Sequence, residues 1–577
     1  MRYLVCACLA TLLAACGQSS TTDKAAAPAS NAAAKPTAAA TKPTRDGRFS
    51  PEITAEDFAA HVQRLASDEF EGRKPGSIGE RMTTTYLVDQ FQRIGLKPGN
   101  GSSYLQSVPM VETTLLDGDK ITLDVAEGGG TENFAYRTDT IVGTLQGKPE
   151  VEVKDSDMVF AGYGVVAPEY QWNDYAGLDV KGKTVVVLVN DPGFGNGDET
   201  LFKGKTMTYY GRWTYKFEEC ARQGAAACLI VHDTAAAAYP WEVVVNSWSG
   251  PQFNLPASED PEPRMAVAGW LTTDAARRLF AKAGADFDAL KKSADLRGFK
   301  GTPLAAKLST HFRNLIRNTA SDNVVGLLPG SKRPDEVVVY SALWDHLGKS
   351  FSGDDKIFNG AIDNATGVAA LLEIADAFAH QQPAPERSIL FVAVTLEEAG
   401  LLGSRYYSVH PTMPLDKTVA DINMDALRII GKTHDMVVVG YGQSQMDDYL
   451  KDVLTPLGRT ITPDSESEKG FFYRSDQLNF ARKGVPVLYA NGGYDKVDGG
   501  VTAGRAAADD YTRNRYHKPS DEYDPNWDLS GVIDDIKALH AVGKRLADES
   551  TFPQWNADSE FKAAHDKLMQ PSAAPKH

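Results

Sequence analysis

Apolar and polar positions follow two periods along this chain. From about residue 320, short and almost unbroken apolar runs alternate with longer segments of helical period. "EVVVYSAL" (336–343), "SILFVAVT" (388–395), "KTVADINM" (417–424) and "GVPVLYA" (484–490) have strand length and β-branched content. Between them, "GVAALLEIADAFAHQ" and "GLLGSRYYSVHP" have the spacing of helices. Apolar strands separated by amphipathic helices predict an α/β fold, a mostly parallel twisted sheet flanked by helices on both faces. Near the start, "TAEDFAAHVQRLASDEF" reads as a helix with Thr54 as its N-cap, and "SIGERMTTTYLVDQFQRIGLKPG" as a second that stops at Gly95. From about 135 to 300 the texture changes to short β-runs with turns, a helix over "YKFEECARQG" and a strand over "AAACLIVHD". That stretch predicts a separate small β-rich domain, and its lone His232 reads as structural.

Composition narrows the class. A chain of 577 residues implies two or three domains. Its net charge of −16 argues against nucleic acid as a partner, because that binding rests on Lys and Arg neutralising phosphates. The first residues read as an export signal: Arg2, the apolar stretch "YLVCACLATLLAA", then Cys16. "LAAC" resembles a bacterial lipobox, which makes 1–15 a lipoprotein signal peptide and Cys16 the lipidated residue. Gly17, in place of an aspartate, implies the periplasmic face of the outer membrane. The Ala/Pro/Thr-rich segment 16–48 lacks large apolar groups and reads as a disordered tether. The only contact with membrane expected is that N-terminal lipid. Beyond it, the cysteines are Cys220 and Cys228, which are either paired or two buried thiols.

Chemistry gathers at the strand ends. In a parallel sheet the site lies beyond the carboxyl edge of the strands. Strand 336–343 is followed by Asp345 and His346, with Asp363 in the next loop; strand 388–395 is followed by Glu397 and Glu398; strand 417–424 runs into Asp425. "NRYHKPSDEYD" adds His517 before a C-terminal helix. So many carboxylates in one cleft require a divalent cation, and mixed oxygen and imidazole donors suit zinc. Of the adjacent pair Glu397-Glu398, one side chain can hold metal while the other takes a proton from water. Neither G-x-S-x-G nor H-E-x-x-H occurs.

The stretches "WDHLG", "NGAIDNATGVAALLEIA", "TLEEAGLLGSRYY", "INMD", "RSDQLNFARKGVPVLY" and "YHKPSDEYD" resemble the M28 family of zinc peptidases, whose fold is phosphorylase/aminopeptidase-like. "SDEFEGRKPGSIGE" resembles the N-terminal part of the same catalytic domain, and "DVKGKTVVVLVNDP" with "CARQGAAACLIVHD" resembles an inserted protease-associated (PA) domain. The implied division is 49–134 and 303–552 for the catalytic domain, 135–302 for the PA insertion and 553–577 for a tail. The resemblance implies hydrolysis of peptide or protein substrates from a free N-terminus. It implies Asp363 as a carboxylate bridging two zincs, with Glu398 and His517 completing one site and Asp425 in the other. Glu397 is then the general base, and Asp345 orients a histidine that relatives carry at position 343.

This chain has Leu343 there, and leucine cannot ligate zinc. The expectation is therefore one zinc in preference to two, with His346 as the candidate substitute ligand. Gln477, where some relatives have histidine, is a second departure. Two alternative functions follow from these departures: a weak or inactive peptide-binding relative, and an acyl transferase of the glutaminyl-cyclase kind.

Overall fold

The structure, a computed structural model, describes residues 49–128, 130–350 and 355–570. The expected leader, Cys16 and the tether lie outside the described residues.

The framework elements, in chain order, are α1 (Ala55–Leu65), α2 (Ile78–Ile94), β1 (Leu105–Leu116), β2 (Thr302–Leu328), β3 (Arg333–Leu343), α3 (Thr366–His380), β4 (Arg387–Val394), α4 (Leu402–Val409), β5 (Thr418–Asn423), β6 (Asp435–Val438), β7 (Thr460–Pro463), α5 (Gln477–Arg482), β8 (Val487–Gly492), α6 (Ser530–Asp548) and α7 (Lys562–Leu568). In space the strands run β1-β2-β4-β3-β5-β8-β6-β7. The central four, β4-β3-β5-β8, are parallel, as the unbroken apolar runs require. All eight residues of β4 are buried.

Local chemistry fixes the helix ends. Thr54 caps α1 by accepting the Asp57 N–H at 3.2 Å. Gly95 ends α2 in the left-handed conformation, φ 90°. Helix α3 is apolar nearly all round, from Val368 to Phe378, and lies buried against the sheet. Helix α6 covers the same face, where His540 sits edge-on to Phe378 with ring centroids 4.5 Å apart. Burial, with the charge of Lys544 beside it, pushes this imidazole down to about 4. The unfolded chain takes up that proton near 6.5, so the contribution is fully present above pH 6.5 and is lost as the pH falls toward 4. Denaturation midpoints at pH 7 and pH 5 should therefore differ by about 1–2 kcal/mol more in the native chain than in His540→Phe. Equal losses in the two proteins would show that His540 is not responsible.

A second hydrophobic core gathers residues from Ile121 to Phe312, reaching past both expected boundaries at 135 and 302. Its parallel strands are Glu150–Phe160, Thr184–Leu188, Ala227–His232 and Val267–Thr272. Here Cys220 and Cys228 are buried free thiols. His232 hydrogen-bonds the Tyr239 carbonyl at 3.0 Å among aromatic rings, a structural role. The two cores are tied by β2, a strand of 27 residues. One half pairs with β1 and β4, the other with Thr122–Glu127 and Glu150–Phe160. The segment expected as a tail from 553 places Trp555 and Phe561 in the core. Among the described residues no helix is long and apolar enough to cross a membrane.

Candidate metal centre and cleft

The register of the parallel strands brings the chemistry together. Leu343 of β3 lies opposite Val394 of β4, and Ser341 lies opposite Asn423 of β5. The three strands thus end nearly level, and the residues that follow them meet at one edge.

Asp345 is buried, and its Oδ1 accepts the backbone N–H of Glu397 at 3.1 Å, fixing the turn after β4. Its Oδ2 is buried without a partner. His346, also buried, places Nδ1 2.7 Å from Oε1 of Glu398 and leaves Nε2 unpartnered. Asp363 sits in the loop before α3, where its N–H and that of Ile362 donate to the Asp521 carboxylate at 3.0 and 3.1 Å. That loop turns on Gly360 at φ 57°, where a Cβ would stand 2.3 Å from the Asp363 carbonyl oxygen. His517, stacked on Tyr516, brings Nε2 to 3.2 Å from Oδ2 of Asp363 and 3.3 Å from Oε2 of Glu398.

His346, Asp363 and Glu398 each offer a donor atom within 4.8 Å of the others. His517 also touches the two carboxylates, its ring centroid 5.8 Å from that of His346. Asp425 shares the cluster: burial, then the charge of Asp363, pushes its carboxyl well above the usual range. Burial, then the charges of Glu398 and Asp425, does the same to Glu397. Burial would lower the His517 imidazole, but the hydrogen bond to Asp363 and the charge of Glu398 outweigh it and hold it up at about 9. Crowded carboxylates, two imidazoles on them and orphaned buried donor atoms are the environment that a divalent cation satisfies, and the donor set fits zinc.

Leu343 does not enter this group. Its side chain is fully buried in an apolar cluster with Val392, Val394, Leu478 and Phe480. Gln477 is also withdrawn from it, accepting from Asn423 Nδ2 at 2.8 Å and donating to the Phe472 carbonyl at 2.7 Å.

Two supporting residues lie inside stretches quoted above, yet nothing in the sequence marks them. Arg73 is buried and clamps the site from behind. Its Nε donates to the Trp344 carbonyl at 2.9 Å, Nη1 to Leu65 and Asn359 at 2.9 and 2.6 Å, and Nη2 to Gly360 at 2.8 Å. Asp476, buried, accepts from Ser404 Oγ at 2.5 Å and adds its charge to the field at Glu397 and Asp425. Contact between residues far apart in the chain creates both roles.

Above the cluster opens a cleft of about 560 Å³. Asp345, His346, Glu397, Glu398 and His517 lie on one wall, and the second core supplies the other through Arg212, Trp213, Phe217 and Trp248.

Known proteins can now be set beside this geometry. Residues 323–540 match the family model "Peptidase family M28". The aminopeptidase NAALADL1 of Mus musculus is 31% identical over 128 residues, 21% of this chain and 16% of that protein. A probable zinc metalloprotease of Pyricularia oryzae is 42% identical over 84 residues, 15% of this chain and 16% of that protein. The matched stretches thus span about one sixth of the length of these curated relatives. Among solved structures, the aminopeptidase from Aneurinibacillus sp. strain AM-1 aligns over 87% of this chain and 96% of that chain, at 17% identity and a TM-score of 0.48. The segment 323–540, which matches the model of peptidase family M28, supplies every carboxylate and imidazole of the cluster.

Proposed function

We propose that the protein is a zinc-dependent peptidase that releases N-terminal residues from peptides. The observation that carries this reading is the grouping of His346, Asp363, Glu398 and His517 beside Glu397 on one wall of an open cleft. Asp363, Glu398 and His517 would hold the metal, with His346 bonded to Glu398 so that this carboxylate keeps its orientation. Zinc, when bound, polarises a peptide carbonyl and makes water more acidic. Glu397 faces the cleft, and its task is to take a proton from water and pass it to the departing amine. Asp345 positions that base through its backbone N–H. Asp521 and Arg73 fix the loop that presents Asp363.

The leucine at 343 supports a centre of one zinc, because no imidazole stands there to complete a second site at Asp425. We further read the second lobe as a PA-type insertion, and residues 1–16 as the signal and lipid anchor of a protein at the periplasmic face of the outer membrane.

Zinc per chain, measured with hydrolysis of leucine p-nitroanilide, tests the proposal. The expected result is one zinc and measurable turnover. Asp363→Ala should weaken zinc binding by at least about 100-fold, whereas Asp425→Ala should leave the zinc content near one. Absence of zinc after it is added back, or a zinc-loaded protein that cleaves no peptide, would overturn the reading in favour of a peptide-binding relative.

A further inference from the structure

The C-terminal segment reaches back to the cleft through Glu560, just ahead of α7. Its two carboxyl oxygens hold opposite lobes. Oε2 accepts the backbone N–H of Tyr209, in the second lobe, at 2.9 Å. Oε1 accepts the hydroxyl of Tyr473, in the turn Phe471–Arg474 beside the metal cluster's strands. Both tyrosines line the cleft, and their ring centroids stand 6.0 Å apart. The next residue, Phe561, is packed in an aromatic cluster with Phe472 and Trp555, centroids 5.7 and 4.9 Å away, so the carboxylate projects from a fixed base.

Each end of this bridge leads to a wall of the cleft. On the second-lobe side, Tyr209 opens the turn that runs into the helix Trp213–Arg222, which brings Trp213 and Phe217 to the cleft. Its hydroxyl donates to Glu218 at 2.8 Å, and Glu218 accepts Arg482 from across the lobe boundary at 2.9 Å. On the other side Ser475 follows the turn and accepts at 2.8 Å from Asn423, which ends β5 two residues before Asp425. The lobes approach closely here: a Cβ on Gly470, at φ 64°, would stand 2.6 Å from Met207 Sδ. A carboxylate is rigid, and bonds to an ionised acceptor are the strong ones. The two donors that Glu560 holds are therefore kept at a fixed separation.

We propose that Glu560 is a positioning residue for peptide binding: through Tyr209 and Tyr473 it sets the second-lobe wall of the cleft against the metal cluster. This rests on the hydrolase reading above and gives the C-terminal segment a part in it.

The test is Glu560→Ala in the full, zinc-loaded chain, with Leu-Ala-Ala-Ala-Ala as substrate. A loosened wall weakens binding along the peptide and leaves Glu397 and the metal in place. KM should rise at least about tenfold while kcat changes by less than about threefold. A mere loss of folded protein does the reverse, lowering kcat and leaving KM alone. Glu560→Gln should restore the native KM, because its amide can accept from the Tyr209 N–H and donate to the Tyr473 oxygen. Tyr473→Phe breaks the other end by removing one hydroxyl and should raise KM likewise; it carries the test if Glu560→Ala does not fold. Hydrogen exchange at the Tyr209 amide needs no turnover and should quicken at least about tenfold in Glu560→Ala. An unchanged KM in Tyr473→Phe, a glutamine variant as poor as alanine, or an unchanged Tyr209 amide would overturn the inference. Should the native chain cleave no peptide, the hydrolase reading falls. The calorimetric affinity of the same peptide for native protein and for Tyr473→Phe then decides the role of Glu560 by itself, equal affinities counting against it.

Discussion

Glu397→Gln is expected to lose about 10²- to 10⁴-fold in kcat while keeping its zinc and its thermal midpoint. The substitution keeps the shape of the side chain and the backbone N–H that Asp345 accepts. It removes only the ability to take up a proton. Burial and the charges of Glu398 and Asp425 already oppose ionisation at this position. A neutral amide relieves that repulsion, so the variant should be at least as stable as the native protein and its loss of turnover cannot be charged to misfolding. Full activity in Glu397→Gln would remove this residue from the mechanism and leave Asp425 as the next carboxylate to test.

Arg73→Met should be the most damaging single change to the framework, at roughly 3–5 kcal/mol. The guanidinium satisfies four buried carbonyls, at Leu65, Trp344, Asn359 and Gly360. Methionine fills much of the volume and satisfies none of them, and each abandoned acceptor costs about 1–3 kcal/mol. Two of those carbonyls belong to the loop that leads to Asp363, so zinc affinity should fall along with stability. Lysine at 73 should rescue little, because one ammonium cannot reach acceptors spread around a planar fork. The denaturant midpoint, read at an unchanged slope, checks the stability change. A shift below about 1 kcal/mol would mean that the neighbouring backbone finds other partners.

What the sequence made legible was what local chemistry decides. Strands β3, β4, β5 and β8 announce themselves because both faces are covered, and most of their buried positions are therefore apolar. The carboxylates were legible because the carboxyl ends of parallel strands must share an edge. Strand β2 was not, because along its first half buried residues alternate with exposed ones, and such a pattern does not stand out as an apolar run. Arg73 was hidden for another reason: its partners lie up to 287 residues away. Leu343 was legible as a departure from a motif, but only the structure shows the apolar cluster that holds it. Leu343→His would have to bury an imidazole among valines and leucines before it reached the metal.

The long strand β2 also limits how this protein can be taken apart. An insertion joined by two flexible linkers can be excised as a cassette, but here the sheet passes through the junction without a break. Residues 313–324 of β2 pair residue for residue with β1, while 302–313 pair with strands of the second lobe. Cutting out the lobe would leave β1 and β2 as a frayed ribbon with raw hydrogen-bonding edges, a template for aggregation. A truncated protein that proves inactive would therefore say nothing about what the lobe contributes to the cleft, and single substitutions on its wall are the cleaner instrument.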